Sequence, residues 1–81
     1  MTSATLDLLA PRTAALVTTI DWGRLSPTEN RRLREFGFDE GVSVEVLHRA
    51  SVGAGPIACR IGRMTIAMRR TVAAAVGVAA G

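Results

Sequence analysis

The chain has no lysine and no tyrosine, one cysteine, one histidine, and only three aromatic rings, those of Trp22, Phe36 and Phe38. With Cys59 the lone thiol, no intramolecular disulfide can form, and a reducing compartment is expected. Cys59 and His48 cannot by themselves assemble a zinc-type cluster. Without lysine there is no phosphate-binding loop of the Gly-rich, Lys-containing kind, and the Gly53-Ala54-Gly55 stretch leads into a predicted strand rather than a helix. His48 stands in no motif relation to Ser26, Ser43, Ser51 or Cys59 that would make a nucleophile and its base. The carboxylates are scattered, so catalysis is not expected. Long apolar runs are also missing: Val72 to Ala80 is rich in Ala and Gly and far short of the roughly 20 residues that span a bilayer, so no membrane insertion is expected. Met1 to Ala10 carries Asp7 and no positive charge before Arg12, unlike a secretory signal, and a cytoplasmic protein beginning at Met1 is the expectation.

What is present is arginine, ten residues against seven acids, for a net charge of +3 and an isoelectric point near 11.1. Because arginine is the only side chain still cationic at high pH here, any excess of it drives the isoelectric point up. The modest net charge makes a nucleic-acid partner unlikely. Eighty-one residues predict one domain, 1–81, whose folding buries only about 60 to 65% of the unfolded surface, so every apolar face must contribute to a thin core.

Along the chain, Thr13 to Ile20 reads as a first strand. Asp21-Trp22-Gly23 marks a turn, with the Trp22 indole expected to lid one end of the core. Ser26-Pro27-Thr28-Glu29 is a helix start: Ser26 caps, Pro27 sits where its missing N–H costs nothing, and Glu29 reaches back to complete a capping box. Gly37 ends the helix in the left-handed conformation, which places Phe38 over Leu33 in a Schellman motif. After the Asp39-Glu40-Gly41 turn, Val42, Val44 and Val46 alternate with polar residues, and Leu47 breaks the alternation where a bulge or sharp bend would fall. Ser51 to Pro56 is a flexible loop by composition. Thr71 to Ala75 predicts a single helical turn, and Val76-Gly77-Val78 a short closing strand.

Gly62-Arg63 predicts a two-residue hairpin turn of type II′, with Gly first. That turn sets Ile61 opposite Met64, Cys59 opposite Ile66 and Ile57 opposite Met68, so six apolar side chains should share one inward face, with Arg60–Thr65 and Ala58–Ala67 on the other. Cys59, Met64 and Met68 therefore read as core rather than soft-metal ligands, and His48 as a surface or half-buried imidazole. The predicted fold is mainly β: a small five-stranded barrel, with one short α-helix after the first strand and a helical turn before the last. Closure is expected because it removes most exposed strand edges.

The ordered series Leu33-x-x-Phe36-Gly37-Phe38-x-x-Gly41-x-x-Val44-x-Val46, then Gly55-Pro56-Ile57, then Gly62-x-x-x-Ile66-Ala67-Met68-Arg69-Arg70-x-x-Ala73-x-x-Val76-x-Val78, resembles the FeoA family over about residues 6–78. The resemblance implies an SH3-like barrel and a cytosolic, non-catalytic accessory role in bacterial ferrous iron transport, in contact with FeoB, a membrane iron transporter with a cytosolic GTP-binding domain. Three positions depart from the family pattern. Gly55 stands where an acid commonly precedes the loop proline, Arg12 where a glycine is often found, and Val72 where an acid usually precedes Ala73. Two other classes remain open: a regulatory SH3-like domain that binds iron or another transition metal, and a small nucleic-acid-binding β-barrel using Arg60, Arg63, Arg69 and Arg70. Arg31, Arg32 and Arg34, near the helix C-terminus where they favour the helix dipole, are the candidate partner-binding residues. No cofactor is expected.

Overall fold

Burial alternates along residues 13–17 and 76–79, and the strands Thr13–Ile20 and Val76–Ala80 pair inside the sheet with Val17 opposite Val78 and Ile20 opposite Val76, the register shifting between Val17 and Thr19. The computed structural model describes residues 3–49 and 55–80. The elements are β1 (Ser3–Thr5), β2 (Thr13–Ile20), α1 (Pro27–Glu35), β3 (Ser43–Arg49), β4 (Ile57–Ile61), β5 (Met64–Met68), α2 (Arg70–Ala73) and β6 (Val76–Ala80), with 3-10 turns at Leu6–Leu8 and Trp22–Arg24. They form one six-stranded antiparallel sheet in the order β1-β6-β2-β3-β4-β5.

Two expectations are corrected here. The sheet has six strands rather than five, because Ser3–Thr5 pairs with β6 ahead of the first predicted strand. The helix α1 accordingly follows the second strand, and the strand expected to close the fold lies inside the sheet, between β1 and β2. The sheet is also open: among the described residues β1 and β5 pair on one side only. The β1 edge is blunted by being only three residues long, whereas β5 presents an exposed edge.

Much of the local reading is observed. Ser26 Oγ accepts from the Glu29 N–H at 3.1 Å, and Glu29 Oε1 accepts from the Ser26 N–H at 2.9 Å. At the other end the Phe38 N–H donates to the Leu33 carbonyl at 3.0 Å and the Gly37 N–H to the Arg34 carbonyl at 3.1 Å, both bonds of a Schellman motif, with Gly37 at φ +91°. The β3–β4 register slips between Val46 and His48, which places the predicted bulge at Leu47. The hairpin register is the predicted one at all five pairs, and Gly62 sits at φ +59°. The flexible loop expected at Ser51 to Pro56 lies outside the described residues except for Gly55 and Pro56.

Leu6, Val17, Val44, Val46, Ile57, Cys59, Val76 and Val78 are fully enclosed. The inward face of β5 is not uniformly part of this core. Met68 is buried, Ile66 is half-buried, and Met64 is 41% exposed, which corrects the expectation of six inward apolar side chains. Register alone puts Met64 on the inner face, but the sheet ends at β5 and no described element covers its hairpin end.

Candidate functional site

The helix α1 is held at both ends by its own side-chain and backbone caps, and it carries Arg31, Arg32 and Arg34 as exposed residues. The three do not form one patch. Residues two apart on a helix project about 200° from each other, and Arg32 and Arg34 serve opposite sides. Arg34 lies over the Trp22 ring, its guanidinium carbon 4.2 Å from the ring centroid. This contact is worth roughly 0.5 to 1 kcal/mol where exposed, and it covers the indole that packs, half-buried, against the core. Arg32 instead faces a groove of about 410 Å³ between α1 and β5.

That groove has an apolar floor of Leu33, Phe36, Ile66 and Met68, and a rim that includes Arg32 and Arg69. Its one carboxylate, Glu29, already accepts from the Ser26 N–H. The groove adjoins a wider cleft of about 770 Å³, which shares Pro56 and Arg69 with it and gathers Arg24 and Arg70 beside Asp7. Sequence reasoning placed Arg69 and Arg70 near a hairpin but could not bring Arg24 or Arg32 to them, because no local pattern records that α1 and β5 line the same groove.

Arg60 meets Glu45 across β3 and β4 at 3.9 Å. Such an exposed pair is worth less than about 1 kcal/mol. Arg49 donates from Nη2 to the Leu9 carbonyl at 2.7 Å and ties the end of β3 to the opening segment. His48 is exposed, and Cys59 is fully buried between Ile57 and Ile61, where burial pushes its thiol up to about 11.

Six antiparallel strands, two short helices and a groove beside the edge strand β5 make a small mainly β protein of SH3-like fold. A family model described as "FeoA domain" matches residues 4–80, and the chain belongs to the FeoA family. Among solved structures it is similar to Stenotrophomonas maltophilia FeoA in complex with zinc, at 32% identity over 93% of this chain and 88% of that one, with a TM-score of 0.77. That protein is described as a prokaryotic SH3 domain protein with a suggested role as a ferrous iron transport activating factor. The FeoA protein of Chlorobium tepidum is 30% identical over 94% of this chain and 69% of that one, with a TM-score of 0.80. A manganese-dependent transcriptional repressor, 22% identical and matched over 41% of its length, shares the fold at a TM-score of 0.82. No curated protein sequence matches the chain. The FeoA family ties the chain to ferrous iron transport.

Zinc in the Stenotrophomonas protein raises the question of a metal site here. Among the described residues no three His, Cys, Asp or Glu side chains gather. The lone thiol is enclosed and held protonated by desolvation. No helix of the described residues is long and apolar enough to cross a membrane.

Proposed function

We propose that this chain is a non-catalytic accessory protein of ferrous iron transport that works in the cytoplasm, binding and modulating the cytosolic part of a FeoB-type membrane transporter. The observation that carries the proposal is the FeoA domain match across residues 4–80. Of the candidate residues on α1, Arg31 and Arg32 are exposed and offer the contact, while Arg34, also exposed, is stacked on Trp22 on another side of the helix. Guanidinium groups on a helix capped at both ends suit an acidic surface, since the backbone that carries them is already ordered before binding.

Calorimetry with the purified cytosolic part of the cognate transporter, with and without guanine nucleotide, tests this. The expected result is stoichiometric binding that weakens with salt and falls at least tenfold in the Arg31→Glu/Arg32→Glu double variant. No heat of binding in either nucleotide condition refutes it.

A further inference from the structure

The edge strand β5 is laid out to receive another strand. A two-residue turn makes Ile61–Met64 the pair that exchanges both hydrogen bonds, and in an antiparallel ladder such pairs alternate. Cys59–Ile66 and Ile57–Met68 are then bonded as well, while the N–H and C=O groups of Thr65 and Ala67 point away from β4. Both residues are exposed, and among the described residues no backbone group meets them.

On the inner face of the same strand the apolar row Met64, Ile66, Met68 goes from 41% exposed, through half-buried, to 7% exposed, so its hairpin end is an uncovered apolar strip. Cations stand at both ends of the strand, Arg63 in the turn and Arg69 just after Met68, with Arg32 across the groove. Among the described residues none of these three forms an ion pair, and the acid nearest them in the groove is committed to the helix cap.

From this geometry we infer that the β5 edge binds an extended segment of a partner polypeptide in which acidic residues bracket alternating apolar ones. The added strand pairs with Thr65 and Ala67, lays its apolar side chains on Met64 and Ile66, and sets carboxylates opposite Arg63 and Arg69. Five residues of β5 give about 17 Å of pairing, the main-chain component common to strand-addition recognition.

Charge argues against a second copy of this chain on the same edge. Antiparallel self-pairing through Thr65 and Ala67 sets Arg63 of one copy opposite Arg69 of the other, twice. Like charges directly opposite each other destabilise a sheet. A single-stranded nucleic acid would want stacking rings, and the groove offers only the half-buried Phe36. The inference concerns this edge whatever protein supplies the segment; it shares only Arg32, at the groove rim, with the contact proposed for α1, and its test relies on Arg63 and Arg69 alone.

The test uses the full chain and the capped peptide Glu-Val-Thr-Val-Thr-Val-Glu, with amide exchange followed residue by residue by NMR. In the free protein Met64, Ile66 and Met68 should be protected and Thr65 and Ala67 fast. Saturating peptide should slow Thr65 and Ala67 at least tenfold and leave the other three unchanged. The peptide with Arg at both ends should do nothing. The Arg63→Glu/Arg69→Glu variant should reverse that preference, a gain of binding that a damaged fold cannot mimic, and Met64, Ile66 and Met68 report its folding.

Three results overturn the inference. One is equal binding of both peptides. The second is protection of Thr65 and Ala67 that grows with protein concentration in the absence of peptide, which would mark a second copy. The third is equal perturbation of the same amides by oligothymidylate.

Discussion

Raising the pH should destabilise this protein through one side chain. Cys59 is fully enclosed, and desolvation pushes its thiol up to about 11, whereas a free thiol ionises near 8.5. In the unfolded chain the thiol loses its proton first, so above the unfolded value the unfolded state binds fewer protons and stability falls as pH rises. The contribution is complete below about pH 8.5 to 9 and is lost progressively up to about pH 11. Each unit of that window costs about 1.4 kcal/mol, for a total of roughly 3 kcal/mol. An 81-residue domain holds of the order of 4 to 12 kcal/mol in all, so the loss is a large share, worth about 10 to 25 °C in Tm at this size. Composition makes the experiment clean. The chain has no lysine and no tyrosine, an α-amino group titrates below the window, and arginine as a residue type titrates above it. Thermal unfolding under reductant, from pH 8 to pH 11, should show a falling Tm for the wild type. Cys59→Ala should start lower, because it leaves a small cavity, and then stay flat. A wild-type Tm that does not change up to pH 11, or a parallel fall in Cys59→Ala, would refute the reasoning.

Two further substitutions check the fold. Arg12 is the one non-glycine among the described residues with positive φ, at 63°, and its N–H donates to the Val46 carbonyl at 2.6 Å. The left-handed conformation costs a residue with a Cβ about 1 to 2 kcal/mol, so Arg12→Gly should stabilise by roughly 0.5 to 1 kcal/mol after its extra unfolded-state entropy is subtracted. Urea denaturation reads the gain directly, and a loss of stability would show that the arginine side chain holds the crossing. Met64 and Met68 share a face but not an environment. By chemical denaturation, Met68→Ala should cost about 2 to 4 kcal/mol and Met64→Ala less than about 1; similar costs would mean that the inner face of β5 is covered after all.

Features whose cause is local were legible in the sequence. The helix is bounded by Ser26, Glu29 and Gly37 because caps act over three or four residues, and the β4–β5 register follows from Gly62 because a two-residue turn leaves no slack. Cys59 was read as core on the same grounds: its neighbours at two-residue spacing, Ile57 and Ile61, are enclosed with it. Arg12 was visible only as a departure from the family glycine, and the backbone explains why that position favours glycine. What was not legible depends on which elements meet across the sheet. Ser3–Thr5 has no strand signature of its own; it becomes a strand because Gly77, Val78 and Ala79 offer a free edge.

Met64 shows the same limit from the other side. Alternation says which face of a strand a residue occupies but not whether anything covers that face, and at the end of an open sheet the two questions separate. The split of Arg31, Arg32 and Arg34 has the same origin. On the sequence they are one basic cluster, but once α1 and β5 line one groove Arg32 belongs to that groove and Arg34 to Trp22. The candidate surface therefore joins Arg32 to Arg69, from opposite halves of the chain, around an apolar strip that local pattern assigned to the core. A protein this small gains stability by burying apolar area, so leaving Met64 exposed and Ile66 only partly buried beside an open strand edge forgoes stabilisation unless something else covers them. That cost is the physical reason to look for a partner at β5.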